Sequence, residues 1–140
     1  ELDPFSCDEA QVNVRADRYF TIDRPAAPKD WYGHTCFFQP PYSRGNIDSA
    51  VESFCEAWDD NRLEEAIALV NNKTETKWFH SLLERADAVC VVKGRIKFWK
   101  ADGARGSGRS GQVILYFGES PYCFVDIFKG IGWTWALHQE

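Results

Sequence analysis

Four consecutive residues, Gln39-Pro40-Pro41-Tyr42, carry the clearest chemical potential in this 140-residue chain. The Gln39 side-chain carbonyl and a main-chain carbonyl can together accept hydrogen bonds from the two N–H groups of an amine. The prolines keep the loop rigid and bring no competing backbone N–H. Because the Tyr42 ring can stack on a flat heterocycle, the set suits an exocyclic amine on an aromatic ring. Taken alone, Pro-Pro-Tyr also fits a polyproline turn or a peptide-like recognition stretch.

The elements around these residues predict an α/β fold. Residues 34–39 form a short apolar run that must end as a strand at the prolines, since proline cannot continue a ladder. Apolar residues then recur at helical spacing from Ile47 to Trp58, after a potential cap at Asn46. Further strands are predicted at 65–70, 88–92, 112–117 and 133–137, and further helices at 76–86 and after Ser120-Pro121. This alternation predicts a mostly parallel sheet with flanking helices.

The remaining segments are less regular. Residues 1–6 are predicted as the tail of a strand, and residues 7–33 as loop with one helical turn. Residues 96–99 are expected to extend the sheet after a turn at Gly94, and the glycine-rich residues 101–111 to form a flexible loop.

Ligands of parallel α/β sheets bind beyond the carboxyl ends of the strands. That rule points to the loops that open at Asp3, Gln39 and Val70. Asp3 is the acidic candidate there, and its alternative role is that of a loop cap.

A second candidate surface is basic. Its members are Lys93, Arg95, Arg105 and Arg109, which lie in or before the glycine-rich loop. Lysine and arginine mostly contact phosphates in DNA complexes, so the sequence predicts a local DNA-binding face. The alternative is a solvated hairpin loop.

Composition excludes several classes of protein. Hydrophobic residues make up 44% of the chain and aromatic residues 15%, which is too apolar for a disordered segment. No run approaches the ~18 apolar residues of a membrane span, so we expect a soluble protein. The net charge of −5 argues against polyanion binding by the whole surface. Five scattered cysteines and three isolated histidines predict mostly buried free thiols, a reducing cytoplasm and no metal site.

Short segments over residues 1–133 resemble, in order and spacing, the phage-type DNA N6-adenine methyltransferase (phage Dam) family. QPPYS is similar to the amino-methyltransferase motif [N/D/S]-P-P-[Y/F/W], and TKWFH to the family's T-x-W-F-H. The resembling segments are LDPFSC at 2–7, RYFT at 18–21, DW with Gly33 at 30–33, QPPYS at 39–43, TKWFH at 76–80, KGRIKF at 93–98 and LYFG at 115–118.

The resemblance implies a Rossmann-like class I methyltransferase fold in one domain over residues 1–140. It implies S-adenosylmethionine as cofactor, double-stranded DNA as partner, and a cytoplasmic location, that of the bacterial host for a phage or prophage protein. Gln39, Pro40, Pro41 and Tyr42 would hold and activate the adenine amine. Asp3, Pro4 and Gln39 would lie at the cofactor. Trp78 and its aromatic neighbours are expected in the core rather than against a base.

The sequence departs from the family pattern in three ways. Gln39 stands where the family has Asn, on a stem one methylene longer. Residues 1–32 contain no Gly-x-Gly, and the family's T-P-x-x-L-F element has no counterpart, so we expect that an N-terminal segment is missing. Two alternatives therefore stay open. One is methylation of another amine by the same motif, on cytosine N4, in RNA or on protein glutamine, and the other is a catalytically silent, methyltransferase-like DNA-binding or interaction domain.

Overall fold

The computed structural model describes residues 1–42, 46–99, 105–107 and 110–137. The helices are α1 (Asn46–Asp59), α2 (Lys77–Leu83) and α3 (Pro121–Phe128), with 3-10 turns at Ala10–Val12 and Pro28–Asp30. The strands are β1 (Leu2–Asp3), β2 (Arg18–Tyr19), β3 (Gly33–Phe38), β4 (Leu63–Asn71), β5 (Ala88–Val92), β6 (Lys97–Trp99), β7 (Arg105–Ser107), β8 (Gln112–Phe117) and β9 (Gly132–Ala136). No helix in the described ranges has the length and hydropathy of a membrane span.

Seven strands form the main sheet, in the order β2-β1-β3-β4-β8-β5-β9. β1, β2, β3 and β4 run parallel, β8 lies antiparallel between β4 and β5, and β9 is antiparallel to β5. Five strands thus share one direction, as a mostly parallel sheet requires, while β8 and β9 make it mixed. The carboxyl ends of those five strands and the amino ends of β8 and β9 therefore lie along one side of the sheet, the carboxyl edge.

Helices α1 and α2 cover one face of this sheet. The apolar residues of α1 repeat at intervals of three and four, which places them on a single buried stripe. Phe54 of α1 is fully buried there, with its ring centroid 5.0 Å from that of Phe38 and 4.8 Å from that of Phe117. Burial of each such ring contributes about 1.5–3 kcal/mol of hydrophobic stabilisation. This face holds the larger core.

Helix α3 packs on the opposite face against β5, β8 and β9. Its Phe124 stacks on Tyr116 of β8 at 5.3 Å and lies beside buried Cys90 of β5. Pro121 occupies the first turn of α3 as predicted, but the Ser120 side chain makes no capping hydrogen bond. The second cluster is therefore small and confined to one half of the sheet.

The α/β class and the order of the predicted elements are confirmed, and three predictions are wrong in detail. Arg18–Tyr19 is a strand within the predicted loop, and only its pairing with β1 identifies it, because two residues carry no periodicity. Residues 97–99 pair with 105–107 in a separate two-stranded sheet and do not extend the main one. The predicted loop 101–111 therefore contains a short strand. All five cysteines are free, but Cys7 and Cys123 are exposed.

Candidate active site

The polar residues of interest meet where the chain changes direction across the sheet. From β1 it moves outward to β2 and then returns to the other side of β1 as β3. Such a switch point opens a crevice at the carboxyl edge, because the loops leaving β1 and β3 diverge. Asp3 ends β1 and Gln39 follows β3, with Leu2 opposite Cys36 in register. These two predicted residues therefore lie at the carboxyl ends of the two strands that border the switch point.

Asp3 is a buried carboxylate with incomplete hydrogen bonding. Its side chain is 4% exposed, and its Oδ2 accepts a hydrogen bond from Gln11 Nε2 at 3.2 Å. Oδ1 is buried and has no partner in hydrogen-bond geometry within the described residues. Burial raises the pKa of Asp3, against the Phe5 backbone N–H and the Ser6 and Gln11 side chains, which lower it. An acceptor in this condition favours a ligand that brings an N–H or O–H donor.

The Gln-Pro-Pro-Tyr segment runs from the interior to the surface. Gln39 is half-buried and Pro40 is buried, whereas Pro41 and Tyr42 are exposed. The backbone N–H of Asn71, the last residue of β4, donates a hydrogen bond to Tyr42 Oη at 2.7 Å. The Tyr42 ring lies 5.9 Å from the Trp78 ring at 57°. Two neighbouring elements, β4 and α2, thus fix the orientation of this tyrosine.

Partial burial of Tyr42 also affects its ionisation. Desolvation raises the pKa of its hydroxyl to about 12, while the Asn71 N–H lowers it to a smaller extent. The hydroxyl therefore remains protonated at every pH at which the protein would be assayed. Tyr42 offers a neutral ring and no acid or base function near neutral pH.

The Thr-x-Trp-Phe-His segment forms the beginning of α2. Thr76 Oγ1 accepts the Phe79 backbone N–H at 3.3 Å and caps the helix. Trp78 and Phe79 are buried, which confirms the predicted core role. The His80 ring nitrogen Nε2 lies 2.7 Å from the Thr74 carbonyl oxygen, in keeping with a structural histidine. Sequence reasoning missed the contact of Trp78 with Tyr42.

Asn71 and Gln112 are further residues that the sequence did not single out. They face each other across β4 and β8, and Gln112 Nε2 donates to Asn71 Oδ1 at 2.7 Å. Gln112 is 5% exposed, so this bond is sheltered from water. The sequence did contain a signal for this pair, because Asn71 ends one apolar strand and Gln112 begins another. Their pairing fixes the residue that holds Tyr42.

The predicted basic face is only partly described. Lys93 and Arg95 are exposed in the turn after β5, with Gly94 at φ +80°, a conformation that favours glycine. Arg105 begins β7, and Arg109 lies outside the described residues. Since β5 points the same way as β4, Lys93 follows at the carboxyl edge, on the side where Tyr42 lies.

An apolar groove of ≈490 Å³ lies on the open part of the α3 face. Phe37 and Ile67 form its floor, with Val14 on one side and Ile127 of α3 on the other. Asp3 lines it, whereas Gln39 and Tyr42 do not. The groove is on a face of the sheet, and the Gln-Pro-Pro-Tyr segment is at the edge, so the two are separate features. Within the described residues, no three His, Cys, Asp or Glu side chains form a group suited to a metal ion.

Comparison with known proteins connects most of the chain to one family. The family model described as DNA N-6-adenine-methyltransferase (Dam) matches residues 1–126. A DNA N-6-adenine-methyltransferase of Haemophilus phage HP1 (strain HP1c1) is 22% identical over 114 residues, which are 79% of this chain and 64% of the phage protein. The chain thus spans slightly less than two thirds of that relative. A solved structure, a human methyltransferase 10 domain containing protein, gives a TM-score of 0.40 at 14% identity, covering 78% of this chain and 51% of the human one.

Proposed function

Because the chain belongs to the DNA N-6-adenine-methyltransferase (Dam) family, we propose that it methylates the exocyclic N6 amine of adenine in double-stranded DNA. One observation carries the proposal. Asp3, whose buried Oδ1 has no partner within the described residues, ends β1, and the Gln-Pro-Pro-Tyr segment follows the neighbouring parallel strand β3. A donor-seeking carboxylate and an amine-accepting loop at the carboxyl ends of adjacent strands suit a reaction that joins a cofactor to an amine.

S-adenosylmethionine is the methyl donor that we propose, and the residues present fit it. Asp3 Oδ1 needs a hydrogen-bond donor, and the cofactor carries donors on its amino-acid and ribose portions. Fully buried Pro4 and half-buried Gln39 would border the same position. When bound, the cofactor supplies an electrophilic methyl group on a sulfonium. The Asp3 carboxylate would also favour the positive charge of that group.

The adenine amine is a poor nucleophile, because the ring delocalises its lone pair. The Gln39 side-chain carbonyl and the Pro40 main-chain carbonyl would accept its two N–H groups and return that lone pair to nitrogen. Buried Pro40 keeps the second carbonyl in a fixed position. The Tyr42 ring would stack on the flipped base, held in turn by Asn71 and Trp78. Catalysis then rests on orientation and on dipoles, and the amine proton leaves to water.

Duplex DNA would be held by basic side chains, of which Lys93 and Arg95 follow β5 at the carboxyl edge. Lys93, Arg95, Arg105 and Arg109 are the candidates for phosphate contacts. Such contacts fix the position of the duplex and carry no sequence information of their own. The site of action would be the bacterial cytoplasm, where phage and host DNA are accessible.

The proposal is tested by transfer of radiolabelled methyl from S-adenosylmethionine to unmethylated plasmid DNA, followed by nucleoside analysis. We expect label in N6-methyladenosine, and its loss in Tyr42→Ala but not in Tyr122→Ala. Tyr122 is a matched control, since it is 63% exposed on α3, away from the carboxyl edge. Label in N4-methylcytidine would keep the site and change the substrate. Cofactor binding without transfer would identify a silent domain, with the Gln39 side chain as its first cause.

A further inference from the structure

Two tryptophans on the last strand of the sheet face the solvent. Trp133 is 79% exposed and Trp135 is 42% exposed, and their ring centroids are 6.4 Å apart in an edge-to-face arrangement. We propose that these two rings, with Lys93, contact the duplex that flanks the target adenine. That the ligand is duplex DNA rests on the proposed function. The surface formed by Trp133, Trp135 and Lys93 goes beyond that function.

The location of the pair supports a role beside the target base. Val91 of β5 lies opposite Trp133 in the register, one residue from the carboxyl edge. Strand β9 is four strand positions away from β3, which precedes Tyr42. At a spacing of about 4.8 Å, this separation is roughly 19 Å. A duplex that rises about 3.4 Å per base pair would cover it with about six pairs.

The strand alternation explains why the rings are uncovered. Thr134 and Ala136 face the α3 side of the sheet together with Cys90, so the two tryptophans face the side of α1 and α2. Val89, opposite Trp135, is buried in the core that α2 covers, whereas Val91, opposite Trp133, is 43% exposed. The buried core on this face of the sheet therefore ends between Val89 and Val91. Exposed apolar rings rimmed by polar residues mark a binding surface.

Two lysine side chains lie beside Trp133, and their charge indicates which kind of partner fits this surface. Trp133, Val91 and Lys93 line one open cavity of ≈560 Å³, to which Lys129 also contributes. Lys129 forms only an exposed ion pair with Asp126 at 3.5 Å, so it stays available to other anions. In sequence, residues 93–109 carry six of the sixteen basic residues of the chain and one of the twenty-one acidic ones. Lys93 and Lys129 beside the exposed Trp133 ring, in an otherwise acidic chain, suit the sugar-phosphate backbone of a polyanion.

A second copy of the chain is the competing occupant, since β9 lies at the end of the strand order. Two copies meeting through the exposed Trp133 ring would bring equal charges together, because Lys93 and Lys129 line the same cavity as that ring. Like charges placed face to face oppose association. Lys93 and Lys129 therefore favour DNA over a second copy as the occupant of this surface. The test below also detects dimerisation.

The test measures binding of two hairpin-capped duplexes of plasmid sequence by the 140-residue chain. The duplexes extend four and ten base pairs on each side of a methylated adenine. We expect Trp133→Ala to bind the longer duplex about tenfold more weakly and the shorter one unchanged, as loss of one ring contact with the sugar-phosphate backbone implies. Trp133→Phe should retain most of the affinity. Ile127→Ala is the control, because Ile127 is 74% exposed on the α3 face.

Three results would overturn the proposal. Trp133→Ala could bind the longer duplex as wild type does, or lose equal affinity for both duplexes. The wild type could be a dimer that Trp133→Ala converts to a monomer with unchanged DNA binding, which would assign the rings to a copy interface. If no base is methylated, the proposed function fails instead. In that case, the surface formed by Trp133, Trp135 and Lys93 is still tested by binding to a random duplex of 24 base pairs. Quenching of tryptophan fluorescence measures this binding.

Discussion

The contact between Tyr42 and the end of β4 separates the roles of the tyrosine ring and its hydroxyl. Tyr42→Phe removes the acceptor of the Asn71 N–H bond but keeps the ring beside Trp78. One neutral hydrogen bond contributes about 0.5–1.5 kcal/mol to the free energy of unfolding. The freed Asn71 N–H can reach water, so the lower half of this range applies. Tyr42→Ala also removes the ring, and with it about 1–3 kcal/mol of stacking on a base.

We therefore expect a graded loss of methylation. Tyr42→Phe should lower the rate of transfer to plasmid DNA by less than tenfold, and Tyr42→Ala by about a hundredfold, which corresponds to ~2.7 kcal/mol. Rates are measured at saturating cofactor with radiolabelled methyl groups, and Tyr122→Ala serves as the control. If Tyr42→Phe and Tyr42→Ala are equally inactive, the hydroxyl and not the ring is essential. The stacking argument would then be refuted.

The pKa of Tyr42 supplies an independent check on the same contact. Its value of about 12 in the folded protein exceeds the ordinary value of 10.0, so the neutral hydroxyl contributes stability that is complete below pH 10. That contribution is lost as pH rises from 10 towards 12. Relative to Tyr42→Phe, the free energy of unfolding of the wild type should fall between pH 9 and pH 11. Urea titrations at both pH values measure it, and an unchanged difference would contradict the burial of the hydroxyl.

Three further predictions concern other residues. Asp3→Asn should weaken binding of S-adenosylmethionine at least tenfold by calorimetry. The same substitution should raise the free energy of unfolding at pH 7, and this difference from the wild type should shrink as pH falls towards 4. The sign follows from the raised pKa of Asp3, since its neutral form is favoured on folding. Trp31→Ala should destabilise by about 3–5 kcal/mol in thermal unfolding, because Trp31 is 3% exposed and packs on Phe5 and Phe38. Asp59→Asn should remove up to about 1 kcal/mol at pH 7 and progressively less as pH falls below 3.8 in urea titrations, because Arg85 lowers the pKa of Asp59 through two 2.8 Å bonds.

Local patterns in the sequence predicted those parts of the fold that local forces determine. The apolar stripe of α1 and the strand stopped by Pro40 could be read from spacing and backbone chemistry, and so could the loop that carries Tyr42. The Tyr42–Asn71 bond could not, because it joins residues far apart in sequence that meet only when β3 and β4 pair. The same holds for β2, whose two residues have no pattern, and for Gln112, whose partner Asn71 lies 41 residues away in sequence on the neighbouring strand β4.

Trp78 shows a different limit of the sequence. Its position in a helical stripe correctly predicted burial, but burial and contact with the site are not exclusive. A side chain 8% exposed can fill the core with one side of its ring and support Tyr42 with the other. A periodicity argument assigns a residue to a face of a helix. It does not say which neighbours a large ring reaches beyond that face.

The antiparallel pairing of β5 with β8 has a consequence for how far the segment between them can vary. Val91 lies opposite Val113, so the two ends of the intervening segment, residues 92–112, are already joined by the sheet ladder. A segment anchored in this way can be exchanged, lengthened or recharged at little entropic cost, because loop closure varies only slowly with length. The segment between these two strands could therefore differ in length and charge while β5 and β8 keep their register.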